Sequence, residues 1–322
     1  MSEYLCRICG SVSRKAKYSV REMMFGTRDE FEYDECLACC SLQLGNVPDR
    51  EALSRYYPKD YYSFALSCSD KNSLQRFAFW LETERDKAFF GLRSPLGQVL
   101  QLVKPKHGSP LLPILKSAGL RPGKRVLDVG CGDGSLLNQL AKCGFKDLVG
   151  IDPFIESDAI TSYGIPIWRR QLVEIQESFD LIMFHHSFEH VLSPRDELRS
   201  AHLKLRAGGR CLIRIPTPSS EAWETYGIDW VQLDAPRHLT LISRSGMTAL
   251  AEQCGFSVVS VIDDATGWSY MGSELCRRGI SYRKQDMNSH FSRDSILDYE
   301  MRAAAANNAH RGDQAAFVLA KL

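Results

Sequence analysis

The chain has 322 residues, of which 44% are hydrophobic and 25% are charged, so it is long enough for two domains or for one large domain with an appendage. Its 40 Lys and Arg residues nearly balance 39 Asp and Glu residues, and the net charge of +1 argues against a protein that binds nucleic acid mainly through phosphates. No apolar run reaches about 18 residues, and the start shows no signal-peptide pattern. We therefore expect a soluble cytoplasmic protein that has neither a membrane nor a nucleic acid as its partner.

Two C-x-x-C motifs lie near the start of the chain, formed by Cys6 and Cys9 and by Cys36 and Cys39. Two such turns can place four thiolates in the tetrahedral arrangement that zinc prefers, and four sulfur ligands leave no open position for catalysis. We therefore predict a structural Zn²⁺ site. Cys40 directly follows Cys39 and is an alternative ligand.

These cysteines define a small N-terminal zinc-binding module, residues 1–48, in which residues 23–27 and 31–33 are predicted to form short strands. Residues 49–110 are predicted to be a helical linker or lid, because aromatic side chains recur among charges there. The tyrosine-rich stretch at residues 56–62 would cover a cofactor, stack on a sugar, or pack between domains.

A glycine-rich turn stands at mid-chain, between a predicted strand ending at Val129 and a predicted helix starting at Ser135. The turn places glycine at positions 130, 132 and 134, and a second predicted strand then ends at Asp152. A strand, a glycine turn, a helix and a strand with a terminal acid form the unit that binds nucleosides, with the acid on the ribose hydroxyls. We therefore predict cofactor binding by Gly130, Gly132, Gly134 and Asp152.

Asp128, within the first of these strands, distinguishes between two nucleotide cofactors. A carboxylate would repel the pyrophosphate of a dinucleotide, and the third glycine comes one residue too early for that motif. S-adenosylmethionine has no phosphate, and its reactive end carries an ammonium and a sulfonium group. Asp128 therefore favours S-adenosylmethionine over a dinucleotide, with a glycine turn that binds no ligand as the remaining alternative.

The next predicted strand ends at Phe184, which we assign to the cofactor site, and runs into His186-x-x-Glu189-His190. This pattern also occurs in a class of zinc peptidases, but their chemistry needs both histidines on one helix face. Here the segment lies between a strand and a helix capped by Ser193, which predicts a loop. We expect His186 and Glu189 to line the catalytic pocket, whereas His190 equally well braces a neighbouring loop.

Residues 217–239 are rich in aromatic and polar side chains and show little periodicity, as in a loop that forms a binding wall. His238 at its end is our prediction for the general base. A neutral histidine titrates near neutral pH and can accept the proton of a hydroxyl, and a surface or bracing histidine is the alternative. Downstream, Ser243 is predicted to cap a helix, and residues 256–261 and 316–320 to form the last strands.

The motif from Asp128 to Asp152 resembles that of class I S-adenosylmethionine-dependent methyltransferases, and the resemblance covers roughly residues 110–322. It implies an α/β fold with a doubly wound, mostly parallel seven-stranded sheet over residues 111–322. It also implies that the first motif holds the methionine part of the cofactor and that Asp152 binds the ribose.

The cysteine pairs and the sequence that follows them are similar to the zinc-binding segment of deoxysugar C-methyltransferases and of methyltransferases of polysaccharide biosynthesis. This resemblance implies a carbohydrate or small hydroxylated acceptor. Because a further C-terminal domain of the deoxysugar C-methyltransferases is missing, we expect O-methylation ahead of C-methylation of a nucleotide-linked keto-deoxysugar. RNA base methylation is a competing hypothesis, against which the net charge argues. A non-catalytic protein that binds a partner through its zinc module is another, against which the intact glycine turn argues.

Overall fold

The computed structural model describes residues 4–57, 73–103, 111–283 and 285–322. The first half of this chain forms β1 (Arg14–Arg21), β2 (Glu30–Cys36), β3 (Leu42–Leu44), α1 (Arg50–Ser54), α2 (Ser73–Phe89), α3 (Pro95–Val103), α4 (Leu111–Ser117), β4 (Val126–Val129), α5 (Ser135–Lys142), β5 (Leu148–Ile151), β6 (Ala159–Ile160) and β7 (Pro166–Trp168). The second half forms β8 (Phe179–His185), α6 (Pro194–Lys204), β9 (Leu205–Pro216), α7 (Glu221–Tyr226), β10 (Thr240–Leu241), α8 (Arg244–Gln253), β11 (Phe256–Asp263), α9 (Gly267–Arg277), α10 (Met287–His290), α11 (Arg293–Asn308) and β12 (Gln314–Lys321).

Contacts divide the chain into two compact units, each built from separate stretches of sequence. Unit 1 consists of residues 1–58, 186–199 and 213–317, and unit 2 consists of residues 59–185, 200–212 and 318–322. The helix α6 and the strands β9 and β12 contribute residues to both units.

The main sheet has the strand order β11-β12-β9-β8-β4-β5-β7-β6. The pairs β4–β5, β4–β8 and β5–β7 are parallel, and the short edge strand β6 is antiparallel to β7. This confirms the predicted doubly wound, mostly parallel α/β fold, to which β6 adds an eighth strand beyond the predicted seven. Since the chain continues from β4 to β5 on one side and returns to β8 on the other, β4 lies at the switch point where ligands bind in such sheets.

A second sheet, in unit 1, joins the N-terminal strands to a strand from the second half of the chain. Its order is β1-β2-β3-β10 and its pairings are antiparallel, with Thr240 opposite Gln43. The strand β10 therefore completes the sheet that the N-terminal strands begin, and the boundary of the predicted module at residue 48 stays a prediction.

The core of unit 1 combines side chains from the same two parts of the sequence. Tyr33 of β2 is fully buried in it, and its hydroxyl donates a hydrogen bond to the backbone oxygen of His238 at 2.7 Å. The buried members are Val20, Tyr33, Leu42, Leu44, Ala222, Tyr226, Trp230, Leu233, Ala235, Leu239, Leu241, Tyr270 and Ala303.

Beside this core, a buried ion network holds the residues that precede His238. The fully buried Arg237 guanidinium donates to Glu22 Oε1 at 3.0 Å and to the two carboxylate oxygens of Asp234 at 2.5 and 2.9 Å. Burial alone would raise the pKa of Asp234, but the Arg237 charge holds this pKa well below its usual range. Three charged groups buried together are stable only as a set, because each would otherwise lose its solvation without compensation.

Two predicted element boundaries differ from the observed ones. Residues 23–27 form a turn instead of a strand, because the Glu22 carboxylate accepts the backbone N–H groups of Phe25, Gly26 and Thr27 that a strand partner would have used. The helix α6 ends at Lys204 and not at the Gly208-Gly209 pair, since residues 205–216 already belong to β9.

The predicted linker contains the helices α2 and α3, but most of its tyrosine-rich stretch lies outside the described residues. Within the ranges that the structure describes, no helix is both long and apolar enough to cross a bilayer.

We predict that Glu22→Gln lowers the free energy of unfolding by about 3–5 kcal/mol, since it removes one partner of a fully buried ion pair. Urea denaturation followed by circular dichroism measures this change. The control is Glu32→Gln, which breaks the pair between Lys17 and Glu32, whose side chains are 45% and 49% exposed. The control should lose less than about 1 kcal/mol, and equal losses in the two variants would contradict the role of the network.

Candidate active site

The glycine turn after β4 lies in unit 2 and has a backbone that side chains disfavour. Gly130, Gly132 and Gly134 have φ angles of 74°, 54° and 75°, all in the left-handed region. A Cβ atom at Gly134 would also lie 2.5 Å from Cδ1 of Ile167. The turn therefore needs glycine, and it exposes backbone groups that a side chain would cover.

Asp152, at the end of β5, fixes the shape of this turn. Its Oδ2 accepts a hydrogen bond from the backbone N–H of Gly132 at 3.0 Å, and its Oδ1 accepts one from Phe154 at 2.8 Å. These two bonds tie the acid to the backbone of the turn, and its contact with ribose hydroxyls stays a prediction.

Asp128, inside β4, is a buried acid with an unsatisfied oxygen. Its side chain is 2% exposed, and Oδ1 has no hydrogen-bond partner among the described residues. Burial and the nearby Asp152 carboxylate raise the pKa of Asp128 to about 8. A cation placed here would relieve this cost, whereas a phosphate would increase it.

Phe184 lies beside this acid-bearing strand. It pairs in register with Val129, and its side chain is fully buried. The structure thus places Phe184 in the strand adjacent to the turn, and its contact with a cofactor stays a prediction.

The four predicted zinc ligands come together in unit 1. Their sulfur atoms lie within 4.8 Å of one another, with Sγ–Sγ distances of 3.7 Å for Cys6–Cys39 and 3.6 Å for Cys9–Cys36. Four sulfurs at about 2.3 Å from a tetrahedral zinc ion are about 3.8 Å apart, so these distances fit the ion. Cys40 is exposed and lies outside the cluster, which favours Cys39 as the ligand.

A second polar cluster in unit 1 contains the predicted catalytic residues. Phe188–His190 form a single 3₁₀ turn between β8 and α6, as expected for a loop and not for a peptidase helix. This turn brings Glu189 and His190 next to His238, and one ligand-type atom from each of the three lies within 4.8 Å of the others. His186 Nδ1 is 3.4 Å from Glu189 Oε1.

Hydrogen bonds determine which ring nitrogen carries the proton in each histidine. Nδ1 of His238 is 2.7 Å from the backbone oxygen of Gln232, and Nδ1 of His190 is 2.8 Å from that of Arg237. A carbonyl oxygen accepts but cannot donate, so each Nδ1 carries a hydrogen and each neutral ring keeps its lone pair on Nε2. In His186, by contrast, the Arg214 guanidinium contacts Nε2, so its lone pair is engaged.

The charge state of the cluster follows from its burial. Burial alone would raise the pKa of Glu189, but the three neighbouring histidines hold this pKa at about 2. Burial lowers the pKa of His190 despite the Glu189 charge beside it. The cluster is therefore an ionised carboxylate with at least one neutral imidazole at neutral pH.

All three predicted catalytic residues thus lie in one cluster, and their roles stay predictions. The sequence did not identify His190 as a member of this cluster, nor Asp234 and Arg237 as the residues that hold the loop before His238. His190 was ambiguous because a histidine that braces a loop and one that binds a ligand look alike in sequence. The signal for Asp234 and Arg237 was their spacing, since two opposite charges three residues apart precede His238 in a loop.

Residues 106–261 match the model of a family described as "Methyltransferase domain". A ubiquinone biosynthesis O-methyltransferase of Ruegeria sp. (strain TM1040) is 30% identical over 45% of this chain and 65% of its own length. A tRNA U34 carboxymethyltransferase of Colwellia psychrerythraea is 28% identical over 44% of this chain and 47% of its own length. The chain thus spans about half to two thirds of the length of these curated relatives.

Among solved structures, an S-adenosylmethionine dependent methyltransferase of Mesorhizobium loti is 16% identical, with a TM-score of 0.40 over 66% of this chain and 99% of that one. The matched family and the observed strand order together identify the fold. Residues 106–261 therefore belong to a methyltransferase domain, and the main sheet has the fold of class I methyltransferases.

Proposed function

We propose that this protein transfers a methyl group from S-adenosylmethionine to a small hydroxylated acceptor. The observation that carries the proposal is that the buried Oδ1 of Asp128, beside the left-handed glycine turn, has no hydrogen-bond partner in the part of the chain that the structure describes. S-adenosylmethionine supplies an electrophilic methyl group on a cationic sulfur when it is bound. Asp128 would attract that cationic end, the glycine backbone would admit it closely, and Asp152 would hold the ribose.

The acceptor must lose a proton when its oxygen takes the methyl group, and the cluster in unit 1 offers a base for it. With its Nδ1–H held by Gln232, His238 presents the Nε2 lone pair, and Glu189 would stabilise the imidazolium that forms. His186, whose Nδ1 lies 3.4 Å from Glu189 Oε1, would contribute to the electrostatic environment of this carboxylate. The new carbon–oxygen bond replaces the carbon–sulfur bond, and the hydroxyl proton passes to the base.

The names of curated relatives support an oxygen acceptor. Several curated relatives are ubiquinone biosynthesis O-methyltransferases. The N-terminal cysteine pairs resemble those of sugar-modifying methyltransferases, which extends the proposal to carbohydrate acceptors of polysaccharide biosynthesis. The relatives named for tRNA favour a nucleic-acid acceptor, but the net charge of +1 argues against one. Incubation with labelled S-adenosylmethionine and panels of phenols and nucleotide-sugars, followed by mass spectrometry, tests the acceptor class.

We further propose that Cys6, Cys9, Cys36 and Cys39 hold a structural zinc ion. The sulfur spacing supports it, and the ion would fix the start of the sheet to which β2 and β3 belong. Because β2 also carries Tyr33, which bonds to His238, the zinc ion would stabilise the base indirectly.

The first prediction of the proposed function concerns the pH dependence of cofactor binding. Asp128 is protonated below about pH 8 in the free protein, and a cationic ligand requires its carboxylate form. Binding therefore releases a proton below that pH, so the affinity for S-adenosylmethionine should rise up to about tenfold per pH unit and level off above pH 8. Isothermal titration calorimetry in buffers of different ionisation enthalpy measures both the affinity and the proton release.

Asp128→Asn is the matched control, because it keeps the shape and removes the charge. The variant should bind S-adenosylmethionine more weakly and lose the part of the pH dependence that comes from Asp128. The amino group of the ligand also titrates, and its contribution cancels when the two proteins are compared. Identical pH profiles for the two proteins would contradict the role of Asp128, and the absence of binding to folded wild-type protein would contradict the proposed function.

The second prediction concerns the base. His238→Ala should lower kcat by about 10²–10⁴-fold and leave the Kd for S-adenosylmethionine nearly unchanged. The control is His310→Ala, which removes a histidine whose side chain is 79% exposed and should not change kcat. Full activity of His238→Ala would remove this residue from the mechanism.

The third prediction uses two adjacent cysteines. Cys39→Ser should lose the zinc ion, measured by plasma mass spectrometry as about one equivalent per wild-type chain, and should melt at a lower temperature. Cys40→Ser should keep both the zinc ion and the melting temperature. Zinc loss in Cys40→Ser but not in Cys39→Ser would show that the ligand set is wrong.

A further inference from the structure

We propose that Glu189, His190 and His238 bind a divalent transition-metal cation. This inference rests on the proposed function and specifies how the cluster removes the acceptor's proton. Two imidazoles and one carboxylate form a donor set that suits Fe²⁺, Mn²⁺, Co²⁺ or Zn²⁺, whereas Mg²⁺ and Ca²⁺ prefer oxygen ligands throughout.

The spacing of the three side chains is the first argument. One ligand-type atom of each lies within 4.8 Å of the other two, and His238 Nε2 is 3.9 Å from Glu189 Oε1. The rings of His190 and His238 are 4.9 Å apart between centroids. Ligand atoms at about 2.0–2.2 Å from a shared ion are separated by at most about 4.4 Å, so small side-chain shifts would close the site.

The histidine tautomers are the second argument. His190 and His238 each give their Nδ1–H to a backbone carbonyl, of Arg237 and of Gln232 respectively. Histidines that bind metals usually donate their other ring N–H in this way, which fixes the ring and leaves Nε2 as the ligand atom. Both rings are therefore preset as ligands before any ion arrives.

The carboxylate of Glu189 is the third argument. It is 1% exposed, and neither of its oxygens has a hydrogen-bond partner among the described residues. The nearest ring nitrogens, in His186 and His238, lie 3.4 and 3.9 Å from Oε1. A buried ionised carboxylate without hydrogen bonds is costly, and a bound cation would supply the missing partner.

A protonated His238 is the competing partner for Glu189. Its Nε2 would then sit between Glu189 Oε1 at 3.9 Å and Asp234 Oδ2 at 3.8 Å, too far from either for a hydrogen bond. A proton on this nitrogen would therefore leave both Glu189 oxygens unsatisfied, whereas a metal ion would bridge the carboxylate and the rings.

Three protein ligands leave coordination positions open, as in catalytic metal sites. An acceptor hydroxyl bound at one of them would give its proton to water more readily, because the cation stabilises the oxyanion that then attacks the methyl carbon. The Nε2 lone pair of His238 would then belong to the metal, and the metal would take over the work assigned above to a base. Loss of His238 would abolish turnover in either case, so a direct binding measurement is needed.

The experiment is a titration with Mn²⁺ of protein that carries one zinc ion per chain, at the cysteines, followed by electron paramagnetic resonance of free Mn²⁺. Mn²⁺ binds most weakly in the divalent series and will not displace zinc from thiolates. We expect about one Mn²⁺ site per chain in the wild type, with affinity lowered at least tenfold in Glu189→Gln and in His190→Gln. His310→Ala, a histidine variant far in sequence from the cluster, should bind like the wild type. Equal binding by all four proteins, or none by the wild type, would overturn the proposal.

If the cluster variants fail to fold, pulsed electron paramagnetic resonance of the wild type tests whether Mn²⁺ binds to the two histidines. Electron spin echo modulation should show ¹⁴N couplings from two imidazoles on the bound Mn²⁺, and a signal without nitrogen couplings would overturn the proposal. Neither measurement needs cofactor or acceptor. If the protein binds S-adenosylmethionine normally but not Mn²⁺, the proposed function stands and the metal site is wrong. If it binds Mn²⁺ at the cluster but not S-adenosylmethionine, the metal site stands and the proposed function is wrong.

Discussion

The buried guanidinium of Arg237 is the interaction on which unit 1 depends. It joins Glu22 near the start of the chain to Asp234 in the loop before His238, and none of the three charges could be buried without the others. Tyr33 adds a hydrogen bond to the same loop. The position of His238 is thus determined by N-terminal residues, which explains why the cysteine-bearing segment and the histidine cluster belong to the same compact unit.

The two candidate sites show the same physical pattern in different units. Among the described residues, no hydrogen-bond partner satisfies one oxygen of the buried Asp128 carboxylate in unit 2 or either oxygen of the buried Glu189 carboxylate in unit 1. A folded protein tolerates such groups at the expense of stability, and functional sites are where this occurs most often. In each case the group that would satisfy the acid is a cation: a sulfonium compound beside Asp128 and, as we propose, a metal ion beside Glu189.

Much of the fold was predictable because its signals are local. The apolar strands, the glycine turn and the Ser243 cap each depend on a few neighbouring residues, and all are observed. The cysteine cluster was predictable from spacing alone. The completion of the N-terminal sheet by Thr240 and Leu241 was not, since a two-residue strand has no periodicity. The pairing of Glu22 with Arg237 was equally hidden, because a charged residue destined for burial looks like a surface one.

The long separation between Glu22 and Arg237 has a consequence for biosynthesis. The two residues are 215 positions apart, so the N-terminal strands emerge from the ribosome well before their charged partner and before β10 exist. Contacts of such high sequence separation form late and slowly, and the exposed edge of β3 is meanwhile open to wrong pairing. A zinc ion captured by the cysteine pairs would close the nascent segment early and shelter it until the rest of the chain has been made.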